Sequence, residues 1–162
     1  MNTELQYFID NYSNKDFDKI KFDWNGMHSD ELVDANYKFR KQLIDIILPQ
    51  IGTVNLELIK DIYLELSKFA KEGWGVPSHF RTFAQELINR DYRKYLLDYL
   101  EGASKSMDTT LDTARIVISK QLAKEIFDYI NERLKDEKDE RNRILLEVIG
   151  RERFQFLSTN EK

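Results

Sequence analysis

From Leu56 to Ala70 the apolar residues return every three or four positions: Leu56, Ile59, Ile62, Tyr63, Leu66, Phe69 and Ala70. A period of 3.6 puts all of them on one broad face of an α-helix, whereas a strand would scatter them over both faces. Thr53 or Asn55 is placed to cap this helix, which runs to about Glu72. Gly73 suits the left-handed residue that closes a helix. Val76 precedes a proline and is extended, and Pro77 suits the first turn of a following helix. Trp74 lies in the connection. It is expected to plug the joint, buried against both helices, the alternative being a tryptophan that faces a ligand or partner.

The same periodicity recurs along the chain. Residues 3–12 form a short helix with Leu5, Phe8 and Ile9 or Tyr12 inward. Residues 13–28 alternate polar residues with Phe17, Ile20, Phe22 and Trp24, the pattern of an extended segment packed by its aromatics, with a small strand near 17–24 and a turn at Asn25-Gly26. Ser29, followed by Asp30 and Glu31, is placed to cap a helix carrying Leu32, Ala35, Phe39, Leu43, Ile46 and Ile47 that closes at Pro49 and Gly52. A helix from Pro77 to Asn89 buries Phe80, Phe83, Ala84, Leu87 and Ile88, and Asp91 caps the next. There Tyr92, Tyr95, Leu96, Tyr99, Leu100, Ala103 and Met107 make a stripe, and Gly102 allows a neighbouring helix to come close. Ile116 to Ile118 read as an extended link. Ser119 caps a helix to about Lys135, and a last helix spans roughly 139–157, loosened at Gly150.

These elements add up to an all-α fold: one domain over 1–162, a bundle of about six or seven mostly antiparallel helices, less regular in 1–28 and frayed in 158–162. Composition narrows the function. There is no cysteine, which excludes disulfide scaffolds, thiolate metal sites and cysteine catalysis. The net charge is −4 and the basic residues are dispersed, so no stripe suited to nucleic acid appears. No apolar run is long enough for a bilayer, and no basic-then-apolar leader opens the chain, so the expected location is cytoplasmic. No nucleotide, hydrolase or metalloprotease fingerprint is present, and no cofactor or metal is expected. Oligomeric state is not legible.

Three groups are candidate sites. Glu57, Asp61 and Glu65 fall at i, i+4 and i+8 and form either a solvated face or a surface for a basic partner. Tyr92, Tyr95 and Tyr99 share a stripe that is either core or interface. Asp108, Asp112 and Arg115, with His79 near the start of its helix, form either a salt-bridged helix end or a polar site for a small helical enzyme. His28, beside the turn, reads as a surface residue.

The arrangement WGVP (Trp74–Pro77), a Phe-rich short helix, RKYLLDYLEGASKSMDT (Arg93–Thr109) and a closing amphipathic pair resembles uncharacterised all-helical bacterial proteins, some of which look like immunity proteins of polymorphic toxin systems. The likeness covers residues 70–157 and transfers no site residue. It implies a small acidic cytoplasmic protein that binds and neutralises a toxin domain. The expected function is therefore protein binding, with a small enzyme as the alternative and a transcriptional regulator behind both for want of a basic recognition helix.

Overall fold

The computed structural model describes residues 3–159, which form eight α-helices and no β-strand, as one domain. They are α1 (Thr3–Asp10), α2 (Tyr37–Ile47), α3 (Leu56–Gly73), α4 (Phe80–Ala103), α5 (Met107–Thr113), α6 (Lys120–Asp136), α7 (Glu140–Ile144) and α8 (Glu152–Thr159). A π-helical segment, Leu145–Arg151, joins α7 to α8 without a break. Ser158 and Thr159 stay helical, and the rest of the terminus expected to fray lies outside the described residues.

α3 is the axis. Of its expected stripe Ile59, Ile62, Tyr63, Leu66 and Ala70 are buried and Leu56 and Phe69 half-buried, and Leu58, Asp61, Glu65 and Ser67 on its other sides are buried too, because the N-terminal segment wraps the face that the pattern leaves polar. Asn55 caps it, accepting the Glu57 N–H at 2.9 Å. α4 is broken at Asp91, where φ is −160° and ψ 67°. Arg90 bonds back to the Ile51 carbonyl and Phe80 stacks on Tyr63, so the first arm runs antiparallel to α3. Beyond the break the pairing order reverses: Lys94 and Tyr95 meet Glu57, and Tyr99 meets Tyr63. The second arm therefore runs parallel to α3 and antiparallel to the first. Asp91 acts as the expected cap, accepting the Lys94 N–H at 3.2 Å.

Tyr63 is the centre of the core. Its ring stacks between Phe80 and Tyr99, and its hydroxyl donates to the Tyr99 carbonyl at 2.8 Å. Gly102 lies against this ring so closely that a Cβ would overlap it, the close approach expected of that glycine. Behind the second arm, α6 and the π segment close the core, with Gly150 fitted between Ile130 and Leu100. Arg153 of α8 ties three elements together. It donates to the Tyr99 hydroxyl at 2.7 Å, the Thr113 hydroxyl at 3.0 Å and the Thr110 carbonyl at 3.1 Å.

Two boundaries differ from expectation. Ser29 caps no long helix. It sits at φ 54° in a single 3-10 turn, Ser29–Glu31, and α2 begins eight residues later at Tyr37, leaving Leu32 and Ala35 outside it. The reason lies in Asp34, whose carboxylate accepts the Asp23 and Asn36 N–H groups and pairs with Arg40 inside the protein. Those bonds favour an irregular loop over helix. The extended segment near 17–24 reduces to one antiparallel bridge, Trp24 with Asp34, after a 3-10 turn at Asn14–Lys19.

Candidate functional site

The end of the bundle where α3 stops and α2 and α4 start gathers the unusual features. The loop from 22 to 36 lies across it and is held by its own polar groups. The Asn25 side chain donates to the Glu31 carbonyl and accepts from the Met27 and Val33 amides, each at 3.0–3.1 Å. Asn36 donates to the Asp18 and Lys21 carbonyls. Phe22 meets Phe69 edge-on and Trp24 face-on, Tyr37 stacks on Phe69, and the His28 ring contacts Trp24 while its Nδ1 lies 3.1 Å from Glu72. The loop is irregular yet pinned.

What it displays is apolar and acidic. Trp24, Met27, Val33 and Tyr37 are exposed. Residues 22–37 hold Asp23, Asp30, Glu31 and Asp34 and no Lys or Arg. Among the described residues, Asp34 alone of these four carboxylates forms an ion pair, with Arg40.

Trp74 joins this end, and its placement corrects the expectation of a buried plug. The left-handed residue closing α3 is not Gly73 but Trp74, at φ 57° and ψ 42°, with its side chain 70% exposed. Its N–H bonds to the Ala70 carbonyl and the Gly75 N–H follows to the same oxygen, so the chain turns outward here. Pro77 likewise does not start the next helix. Its carbonyl accepts the Phe80 N–H in a turn, and His79, at φ 68° and exposed, is the N-cap of α4. Among the described residues Ser29, Trp74 and His79 are the non-glycines with positive φ, and all three lie at this end.

The acidic row is resolved differently from either expectation. Asp61 and Glu65 are buried. Asp61 accepts the Tyr12 hydroxyl at 2.7 Å and pairs with Lys60 at 3.1 Å, and burial pushes the Tyr12 phenol up, helped by that bond. Glu65 accepts the Phe22 N–H at 2.7 Å and the Lys68 ammonium at 2.6 Å. The two carboxylates fasten the N-terminal segment to α3, so they are not a solvated row and offer a partner little surface. Glu57 reaches the surface, where Lys94, Lys60 and the Tyr95 hydroxyl surround it. The Lys94 hydrogen bond foremost holds its carboxyl down at about 2.

Tyr95 and Tyr99 are core, and Tyr92 is half-buried against Tyr129, so this stripe is not an open interface. Burial pushes the Tyr99 phenol up although Arg153 opposes it. Asp112 and His79 line one shallow depression of about 290 Å³ with Arg81, while Asp108 and Arg115 lie outside it. Among the described residues no ion pair or hydrogen bond joins His79 to Asp112, and none joins the Arg115 side chain to either aspartate. The arginine that serves α5 is Arg153, from a part of the chain the sequence did not connect with it.

Among the described residues no group of three His, Asp or Glu side chains converges to hold a metal ion, and no helix is long and apolar enough to cross a membrane. No family model, curated protein or solved structure matches this chain, so its functional reading stands on its own geometry.

Proposed function

We propose that this chain is a protein-binding module that docks a basic partner through its aromatic and acidic end, and that in its sharper form it acts as an immunity protein holding a toxin domain inactive. The observation that carries the reading is Trp74. A non-glycine in the left-handed region is strained by about 1–3 kcal/mol, and an indole left 70% exposed regains little of that by burial. Folding alone favours glycine at this position. A partner that covers the indole supplies the missing burial, and tryptophan is the residue type most enriched among interface hot spots. Trp24, Met27, Val33 and Tyr37 extend the apolar surface, and Asp23, Asp30 and Glu31 give it a negative field that steers a basic surface toward it. A toxin that cleaves nucleic acid needs a basic cleft, which makes it the partner class this surface suits, in keeping with the resemblance of residues 70–157.

The test is affinity capture with three baits: the wild-type chain, Trp74→Ala, and the double variant Asp30→Lys with Glu31→Lys. The wild type should hold one basic protein stoichiometrically. Loss of a hot-spot tryptophan, at about 2 kcal/mol or more, weakens that complex about 30-fold, and the charge reversal slows association. Both variants should match the wild type in thermal stability, because neither touches the core. Unchanged affinity in both would place the interface elsewhere. A partner whose toxicity persists in the complex would sink the immunity role and leave the binding role standing.

A further inference from the structure

The large apolar residues that stay exposed fall mainly in two groups. One lies with Trp74 at the acidic end. The other is Ile144, Val148 and Phe156, with Met107 and Leu111 on α5. The first three lie on the helix that runs unbroken from α7 through the π segment into α8, at exposures of 51%, 57% and 62%. Glu152 fills the step between Val148 and Phe156, so the four residues recur at every fourth position along one side. Beside them a groove of about 470 Å³ opens toward α5, with Thr110 and Ala114 on one wall and Ile149 and Leu157 on the other. The π segment, a backbone form that gathers at functional sites, lies at the middle of the stripe. An apolar stripe next to an open groove is a surface built to be covered.

The charges on its flank say by what. Glu147 and Arg151 are exposed and spaced i, i+4, yet among the described residues neither side chain forms an ion pair or a hydrogen bond. A surface with one free charge of each sign selects no partner of single sign, but it matches itself. Two copies of this helix crossing antiparallel, about a two-fold axis level with Gly150, set Ile144 against Phe156 of the other copy and Val148 against the stem of Glu152. The same crossing brings Glu147 of each copy to Arg151 of the other. Every contact is made twice, and both free charges find an opposite.

We infer that this face is a self-association surface, through which two copies of the chain pair as an antiparallel two-fold dimer held by Ile144, Val148 and Phe156 and fixed in register by two Glu147–Arg151 pairs. It uses none of the residues of the docking surface, and the purified chain alone suffices to test it, so either reading can fail without the other.

The test is sedimentation velocity over a concentration series, on the wild type, Glu147→Arg, Arg151→Glu and Val148→Asp. The wild type should pass from monomer to dimer as concentration rises and stop there, because a two-fold contact closes on itself. Each charge reversal sets two like-charged pairs across the axis and should weaken the dimer about tenfold or more. An equimolar mixture of the two reversals should recover the lost affinity, since every pair across the axis then joins opposite charges. The double variant carrying both reversals should recover it too. Val148→Asp should leave only monomer. These changes fall on exposed side chains, so in dilute solution each variant should melt with the wild type. A wild type that stays monomeric at every concentration would overturn the inference. So would a dimer indifferent to both reversals, reversals that their mixture does not rescue, or association that continues past the dimer.

Discussion

Replacing Glu65 by alanine should release the N-terminal segment from α3 without unfolding the bundle. Both oxygens of this carboxylate are engaged, one by the Phe22 N–H at 2.7 Å and one by Lys68 at 2.6 Å, in a side chain that is only 3% exposed. Truncation leaves the half-buried Phe22 amide without its acceptor, a loss of about 1–3 kcal/mol. Lys68 is 46% exposed, so its pair adds no more than about 1 kcal/mol. The sum, centred near 2 kcal/mol, is a fraction of the stability of an ordinary domain. The effect should be local, because Phe22 links Trp24 and Phe69 through its ring and the loop from 22 to 36 hangs from that link. The assay pairs urea denaturation with amide hydrogen exchange. The unfolding free energy should fall by the stated amount, the amides of residues 20–24 should exchange faster, and those of Tyr63 and Leu96 should hold. Glu65→Gln keeps a carbonyl for the Phe22 N–H and should recover most of the loss. If Glu65→Ala stays within about 0.5 kcal/mol of wild type and Phe22 keeps its protection, the segment is fastened by the Asp34–Arg40 pair and not by this carboxylate.

Two further perturbations test the core and the surface. Gly102→Ala should destabilise: helix propensity favours alanine by about 1 kcal/mol, but the added Cβ overlaps the Tyr63 ring, which overpacks the core by about 1–3 kcal/mol and disturbs the bond from Tyr63 to the Tyr99 carbonyl. A rise in the urea midpoint would refute the close approach. Glu57 titrates at about 2 in the folded chain against 4.5 unperturbed, so its contribution is complete above the unfolded value and is lost as pH falls from there toward 2. The midpoints of wild type and Glu57→Gln should therefore converge over that interval, and a constant gap would show that the carboxylate gains nothing from Lys94.

The helices were legible because their apolar residues obey one period and their ends carry caps. Asn55, Asp91 and Ser119 each accept the amide expected of an N-cap. The acidic row misled for a definite reason. Period alone makes Glu57, Asp61 and Glu65 the outer face of α3, and nothing local reveals that Tyr12 and Phe22, more than forty residues earlier, arrive to bond two of them. Arg153 escaped for the same reason, since its partners on α4 and α5 lie forty or more residues away. Long-range polar pairs leave no periodic trace.

The misreadings at the other end have a different character. The favourable local chemistry of these residues makes Ser29 a helix cap, Trp74 a buried plug and Pro77 a helix start. The chain departs from that chemistry at three neighbouring places, and at each the departure puts a non-glycine at positive φ: Ser29, Trp74 and His79. One such conflict can be absorbed by packing. Three at one end, beside exposed Trp24 and Tyr37 and an acidic loop with no basic residue, form a pattern that stability does not explain at Trp74, where glycine would be easier to fold. Local rules broken together in one place support the proposed docking surface, since departures of this kind gather where function is built. A signal for it lay in plain view: the run from Phe22 to Tyr37 holds four acids and no Lys or Arg in a chain where charges are otherwise mixed.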